Sequence, residues 1–472
     1  MQVQILSGIY ADGPSPELRT AYPRNLVPVP KDSGISGGYL RPADGILPAG
    51  TGPGVDRGGI AWNGVMYRVM GTKLVRVERD GRAVELGDVG TGGQVTLDYG
   101  FDRLAIASGG RLYYWDGAAL TQVTDPDLGA VVDMQYIGGY YMTTDGTNLV
   151  VTELNDPTSV NPLKYGSAET DPDPILAVDE LRTEAYAFGR YTIEVFQNVG
   201  GSNFPFRRVD GAQVTKGVIG THAYTAMADT FYFVGSGRGE APAVYVMVPG
   251  SWQKVSTREV DEILAGYTES QLAGAVVESR VDKHHQHVLI HLPDKCVVYD
   301  AAASKAMGAP VWFTLDSGLQ VASTYRARNL VWCFDRWNVA DPLSYAMGAL
   351  TDTVSTHYGD LVGWEFGTPI MYAEGMGAVL HDVELVCLPG RVPLGAAPVI
   401  WTSYSHDGVT WSQERPCAAG GSGQRAKRIS WRRQGQIRHW RTQRFRGTSE
   451  AHLSVARLEV KLEPLSTKAG NG

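Results

Sequence analysis

Six times between residues 66 and 300 the chain reads as an apolar strand, a short polar or glycine-containing turn, and a second apolar strand. The segments are MYRVMGTKLVRV, RLAIASGGRLYYWDG, GYYMTTDGTNLVVTEL, EAYAFGRYTIEVF, TFYFVGSGRGEAPAVYVMV and HVLIHLPDKCVVYD. An apolar residue early in each second strand serves as a marker: Leu74, Leu112, Leu149, Ile193, Val244 and Val297, at spacings of 38, 37, 44, 51 and 53 residues. A lone hairpin leaves one face wet, and stacking successive hairpins about an axis buries those faces against each other. Antiparallel repeats of about 40–50 residues therefore predict a β-propeller. NLVWCF, with Leu330 only 33 residues past Val297, is either a seventh element or the strand that closes the ring. The expected count is six or seven blades.

Glycine supports short strands and tight turns: 57 of 472 residues, about 12% against a usual value of about 7%. Residues 1–58 carry DGPSPE, YPRNLVPVPKD and GISGGYLRPADGILPAGTGPG. Proline fixes φ and removes a donor, so this stretch is read as an extended arm on the surface of its own domain or of a neighbouring subunit. Residues 59–369 form the propeller body, with a short helical insertion near 257–278. There Ser256-x-x-Glu259 reads as a capping box before Val260, Ile263, Leu264 and Tyr267, and Thr268-x-x-Gln271 caps a second helix. Such a pair either docks a partner or packs between blades; most amphipathic helices cover a core. From residue 370 to 472, AVLHDVELVCL, APVIWTSYSHDGVTWS, RISWRRQGQIRHWRTQRFRG and AHLSVARLEVKLE alternate as strands of a separate β-sandwich-like domain.

The formal charge of −8 does not describe a general nucleic-acid binder, yet charge is strongly segregated. Between Arg415 and Ser449 stand ten basic residues and no acidic one; the rest of the chain holds 32 basic against 50 acidic residues. Nine of the ten (Arg425, Lys427, Arg428, Arg432, Arg433, Arg438, Arg441, Arg444 and Arg446) are the candidate subunit or partner interface, meeting acidic groups through guanidinium forks. Trp431, Trp440 and Phe445 interleave, as aromatics do in single-strand grooves, so phosphate contact and a solvated strand face are the rival readings.

His285, His287 and His291 share one strand face, with no acidic or cysteine companion evident in the local sequence, and are read as structural. Ser405-His-Asp407-Gly408-Val-Thr410-Trp411 is one residue short of the sialidase Asp-box, a turn device that argues fold and not catalysis. Gly34-Ile-Ser36-Gly37-Gly38 matches GxSxG without the flanking strand and helix that a nucleophile elbow needs. Four scattered cysteines show no zinc spacing and read as ordinary thiols. No signal peptide, membrane-spanning helix, P-loop or HExxH is read, and nothing compels an enzyme or a cofactor.

GGYLRPADGI (37–46), VMYRVMGTKL (65–74), VTKGVIGTHAYTAMADTFYFVG (214–235), HVLIHLPDKCVVYDAAAS (287–304), PVWFTLDSG (310–318) and ISWRRQGQIR (429–438) resemble, in order, the tail-hub proteins of short-tailed bacteriophages. Those are also called nozzle or packaged-DNA-stabilisation proteins. The resemblance implies a non-enzymatic virion protein, six copies of which form a ring below the portal and its adaptor. The ring would extend the DNA channel, hold in the genome, and offer surfaces to a tail needle and tailspikes. It carries over no catalytic residue. A lumen lined by ten cations per subunit would grip double-stranded DNA through counterion release, so the basic segment is expected to face protein and the lumen to be neutral or acidic. The alternatives are a sialidase-like propeller glycosidase and a monomeric propeller adaptor.

Overall fold

The computed structural model describes residues 2–11, 18–31, 36–100, 102–154, 156–167, 173–201, 203–372 and 377–465. Seven antiparallel sheets follow one another around an axis. The first six span 56–88, 96–122, 133–167, 175–208, 217–254 and 276–315, with the innermost strand first in sequence. Every marker residue, from Leu74 to Val297, lies on the third strand of its sheet and is buried.

The alternation within each strand supplies both neighbours of a blade. In the second blade Leu104 and Ile106 pack toward the first, while Ala105 and Ala107 pack toward the third. Successive side chains point to opposite faces of a sheet, so one strand feeds two cores. Among the described residues seven apolar clusters result, one for each pair of adjacent blades, including the pair that joins the last blade to the first.

The seventh blade settles the role of NLVWCF. Arg328–Cys333 is its innermost strand, followed by Arg336–Ala340 and Ala346–Thr351. Leu330 therefore occupies a different place from the other markers; the equivalent residue is Met347, 50 positions beyond Val297. The fourth strand, Gly45–Thr51, comes from the other end of the chain and pairs antiparallel with Ala346–Thr351. That strand closes the ring.

The segment expected as a surface arm is thus built into the sheets. Leu26–Pro30 and Gly38–Pro42 form a hairpin in the C-terminal sandwich, with Val455 of its last strand opposite Leu40. Asp56–Trp62 is the innermost strand of the first blade. Proline is tolerated because these are edge or closing strands: Leu26–Pro30 lies at the end of its sheet and Gly45–Thr51 at the outer edge of its blade. Pro23–Asn25 bridges the two bodies. The Thr314 amide donates to the Pro23 carbonyl at 2.9 Å, and Arg24 exchanges backbone hydrogen bonds with Glu365 at 2.9 and 3.1 Å. The Arg24 guanidinium clasps both oxygens of Asp316 at 2.5 and 2.8 Å, a charge-assisted fork.

The sandwich packs Ala378–Cys387, Ile429–Ile437 and Val455–Pro464 over a second sheet that holds Gly363–Gly367, Val399–Ser405 and Trp440–Thr448. Leu380, Val383, Trp431, Leu458, Phe366 and Phe445 meet between them. The body thus begins before residue 370 and recruits strands from the N-terminal 42 residues.

Two short helices join the fifth and sixth blades. Arg258–Ala265 is capped by Thr257, one residue later than expected; Ser256 instead donates to Asp261 at 2.6 Å. Glu269–Ala273 carries the expected Thr268/Gln271 capping box. Val260, Leu264 and Leu272 sit in the apolar cluster shared by blades five and six, so the pair packs between blades. A third helix, Ala301–Met307, is capped by Asp300 and stopped by Gly308 in the left-handed region; the Asp-Ala-Ala-Ala run followed by glycine is its sequence signal. No described helix is long and apolar enough to cross a membrane.

Ring closure generates a paired prediction. Ile46 is fully buried between blades six and seven, whereas its neighbour Leu47 is 44% exposed on the opposite face. In urea titrations Ile46→Ala is expected to lose about 2–5 kcal/mol of stability, and Leu47→Ala less than about 0.5 kcal/mol.

Candidate functional site: the basic edge of the sandwich and the acidic axis of the propeller

The ten basic residues lie on strands of both sheets of the sandwich and in the turns between them, and they divide by environment. Arg425 and Lys427 are exposed in the turn before Ile429–Ile437, and Arg428 pairs with Glu384 on the adjoining strand. Arg432, Arg433 and Arg438 point to solvent. Arg415 donates to the carbonyls of Arg432 and Arg433 at 2.8 and 2.9 Å.

The other three belong to the interior or its rim. Arg441 is fully buried: it donates to the Gln434 carbonyl at 2.6 Å and to Gln443 Oε1 at 2.7 and 3.0 Å, and lies 3.8 Å from the centre of the Tyr404 ring. Burial lowers its pKa to about 10. It is therefore a structural arginine and cannot reach a partner, contrary to the reading from charge alone. Arg444 lies over Trp411 and donates to Ser403 Oγ at 3.2 Å; Arg446 is held by Glu414 at 2.5 Å. Trp431 and Phe445 are core residues, so two of the three interleaved aromatics offer no stacking platform. The exposed cations without a described acidic partner are Arg425, Lys427, Arg432, Arg433 and Arg438.

The Asp-box-like turn is a closed local device. Gly408 N–H donates to Ser405 Oγ at 2.8 Å, and Val409 and Thr410 N–H donate to Asp407 Oδ1 at 2.9 and 2.7 Å. The Ser405 hydroxyl, with the Thr410 and Val409 N–H groups, holds the Asp407 carboxyl well below its usual range. Of the GxSxG match, Gly34 and Ile35 lie outside the described residues; Ser36 donates to the Ala456 carbonyl at 2.7 Å and so ties the hairpin to the last strand.

The propeller axis was not singled out from sequence. A cavity of about 360 Å3 is lined by the innermost strands of all seven blades. Its acidic residues form an inter-blade stitching pattern. Asp98 accepts from Tyr136 N–H at 2.6 Å, Asp133 from Val178 N–H at 2.9 Å, and Glu278 from Asn329 and Leu330 N–H at 3.1 and 2.7 Å. In each case a carboxylate on one inner strand binds the backbone of the next. Burial, with neighbouring carboxylates, raises Asp98 to about 6, Asp133 to about 7 and Asp179 to about 8. His222 and Tyr224 face the same space; burial lowers His222 to about 4 and raises the Tyr224 hydroxyl well above its usual value. No single inner-strand position carries these acids: Asp98 and Asp179 share one register level, while Asp133 and Glu278 stand at two others, so the sequence offers no repeat to read them from.

The histidine run also differs from expectation. All three strand histidines are buried, and acidic partners come from neighbouring strands: Asp300 contacts His285 Nδ1 at 2.5 Å, and Glu278 contacts His291 Nε2 at 2.8 Å. Sheet register, absent from local sequence, supplies both.

The sequence profile described as bacteriophage P22 Gp10, beta-propeller, matches residues 1–355, and that described as bacteriophage P22 Gp10, beta-sandwich, matches residues 363–463. The chain belongs to the P22 Gp10 tail-hub family. The tail hub protein gp10 of Salmonella phage P22 is 28% identical over 483 residues, covering 98% of this chain and 99% of the relative. Among solved structures, the N-terminal domain of Nup159 has a TM-score of 0.41 at 8% identity, covering 68% of this chain and 97% of that one. The Pan2 WD40 domain of Neurospora crassa has a TM-score of 0.41 at 10% identity, covering 65% and 95%. Membership of the Gp10 family makes this a structural protein of a phage tail hub, and the division between its two profiles falls in the stretch between Thr351 and Gly363 where the propeller gives way to the sandwich.

Two predictions follow from the site of this Gp10-family chain. Arg441→Ala leaves buried carbonyl and amide oxygens without donors and is expected to cost about 3–5 kcal/mol in denaturant titration, while Arg432→Ala and Arg438→Ala leave the unfolding midpoint unchanged. The axial aspartates have folded-state pKa values above those of the unfolded chain. Their contribution is full below about pH 4 and is lost as pH rises through about 6 to 8. The thermal midpoint is expected to fall across that window, and Asp179→Asn to flatten the fall; an unchanged profile in that variant would refute the assignment.

Proposed function

We propose that copies of this chain form a ring, six in number, below a phage portal and its adaptor, where they extend the DNA channel, retain the packaged genome and dock a tail needle and tailspikes. The observation that carries this reading is the match of both domains, in order, to the Gp10 family across nearly the whole chain.

Physical features support the arrangement. The inner strands of all seven blades converge on a cavity of about 360 Å3 and are tied to one another by carboxylate-to-backbone hydrogen bonds, which leaves no opening for a duplex. The DNA path must therefore run between subunits and not through a propeller. Outside the basic segment the chain is acidic, so a lumen formed by that bulk repels phosphate and lets DNA pass. The exposed cations Arg425, Lys427, Arg432, Arg433 and Arg438 then meet acidic protein surface on a neighbouring copy or partner.

Native mass measurement with and without a portal–adaptor complex tests the assembly. A closed ring of six on the complex is expected; a chain that stays monomeric and joins no such complex would overturn it. Arg432→Glu/Arg433→Glu/Arg438→Glu is expected to abolish ring joining without moving the thermal midpoint of the free chain. Duplex binding by the assembled ring should be weak, with a shallow dependence on salt.

A further inference from the structure

Among the described residues, one group of three side chains brings metal-ligating atoms together: His285, His287 and Asp300, with donor atoms all within 4.8 Å of one another. The two histidines alternate onto one face of His285–His291, and Asp300 ends the next strand, directly opposite His287. All three are at most 7% exposed.

The carboxylate is held in a way that leaves one oxygen for the imidazoles. Asp300 Oδ1 accepts from Ala303 N–H at 3.0 Å, as the cap of the third helix, and from Gln286 N–H at 3.3 Å. Such outer hydrogen bonds are what orient ligating carboxylates. Oδ2 is directed at both rings, 2.5 Å from His285 Nδ1 and 3.4 Å from His287 Nε2. The second separation is not aligned as a hydrogen bond, so His287 Nε2 is a buried nitrogen without a hydrogen-bond partner. It matches the edge of a tetrahedron with bonds near 2.0–2.1 Å, about 3.3–3.4 Å.

Charge favours a cation there. Arg280, opposite His287 in the sheet, is bound by Asp44 at 2.6 Å and Asp282 at 2.5 Å, and Arg41 also binds Asp44. With neutral imidazoles, two guanidiniums face three carboxylates, so the pocket lacks a positive charge. His287 also borders a cavity of about 20 Å3, room for one water molecule as a further ligand.

The geometry points to a divalent transition-metal site, of the zinc class, formed by His285 Nδ1, His287 Nε2 and Asp300 Oδ2. Two neutral imidazoles and one carboxylate suit zinc and its neighbours over calcium or magnesium, which take oxygen donors. The ion would clamp the second and third strands of the sixth blade to the helix that Asp300 caps. Binding displaces the proton shared by His285 and Asp300 and widens that contact toward the tetrahedral edge.

The test uses the full chain, free of any histidine tag, stripped with chelator and dialysed against Zn2+. Elemental analysis is expected to find about one zinc per chain, with at least a tenfold loss of affinity in His285→Gln and His287→Gln. The exposed His284→Gln should bind as the wild type does. Co2+ added to the stripped wild type should give visible d–d absorption that Zn2+ abolishes, a readout that does not depend on any variant folding. Less than roughly a fifth of a zinc per chain, no Co2+ absorption, or undiminished binding by His287→Gln would each overturn the site.

Discussion

Gly45–Thr51 lies against Ala346–Thr351, and the rest of the architecture hangs on that pairing. A ring of separate sheets has no covalent reason to close, and an open ring would leave the apolar faces of its first and last blades in water. Taking the outer strand of the last blade from the start of the chain ties the two ends together. The same choice fixes what precedes it. Residues 26–42 leave the closing strand on the sandwich side, and Pro23–Asn25 wedge between the sixth blade and Gly363–Gly367. Closure and domain attachment are thus one device, and the Arg24–Asp316 fork secures it at the seam.

The repeat was legible because each blade needs an apolar third strand that feeds two cores, and that requirement writes a marker roughly every 37–53 residues. Sequence-distant pairing left no such mark. GILPAGT reads as turn-rich because closing a blade asks only for backbone donors and acceptors on one edge, and Ile46 is its single fully buried apolar side chain. The same reason hid the sandwich role of LVPVP and GYLRP: the prolines of LVPVP suit its place at the sheet edge and Pro42 ends GYLRP, but prolines are equally the mark of an arm. The helix at Arg258–Ala265 was legible from its stripe, while its cap slipped by one residue because Ser256 and Thr257 both offer a hydroxyl.

Charge was legible in amount and not in place. Local counting groups Arg441 with Arg438, yet Arg438 stands exposed in the turn between Ile437 and Trp440 and Arg441 is buried on the strand that follows. An alternating strand puts cations on both faces, and a buried guanidinium is held by fixed oxygens and an aromatic face. Acids behaved in the reverse way. Asp133, Asp179 and Glu278 look scattered in sequence, and only radial symmetry gathers them on the axis, with Asp98 close enough to raise the pKa values of the first two.

These two distributions bear together on the proposed ring of copies. A propeller that used its own axis as a conduit would need a wide, uncluttered centre; here carboxylates occupy that centre as inter-blade fasteners, and their protonation near neutrality relieves mutual repulsion. The axis is therefore a structural seam, and in the proposed assembly the passage for DNA would be made by several copies. Assembling copies around acidic bulk requires contacts that overcome like-charge repulsion between them. In the proposed ring, a cationic edge confined to the sandwich, with the propeller left acidic, would meet both requirements at once: it would localise attraction at that edge and leave the remaining surface repulsive toward phosphate.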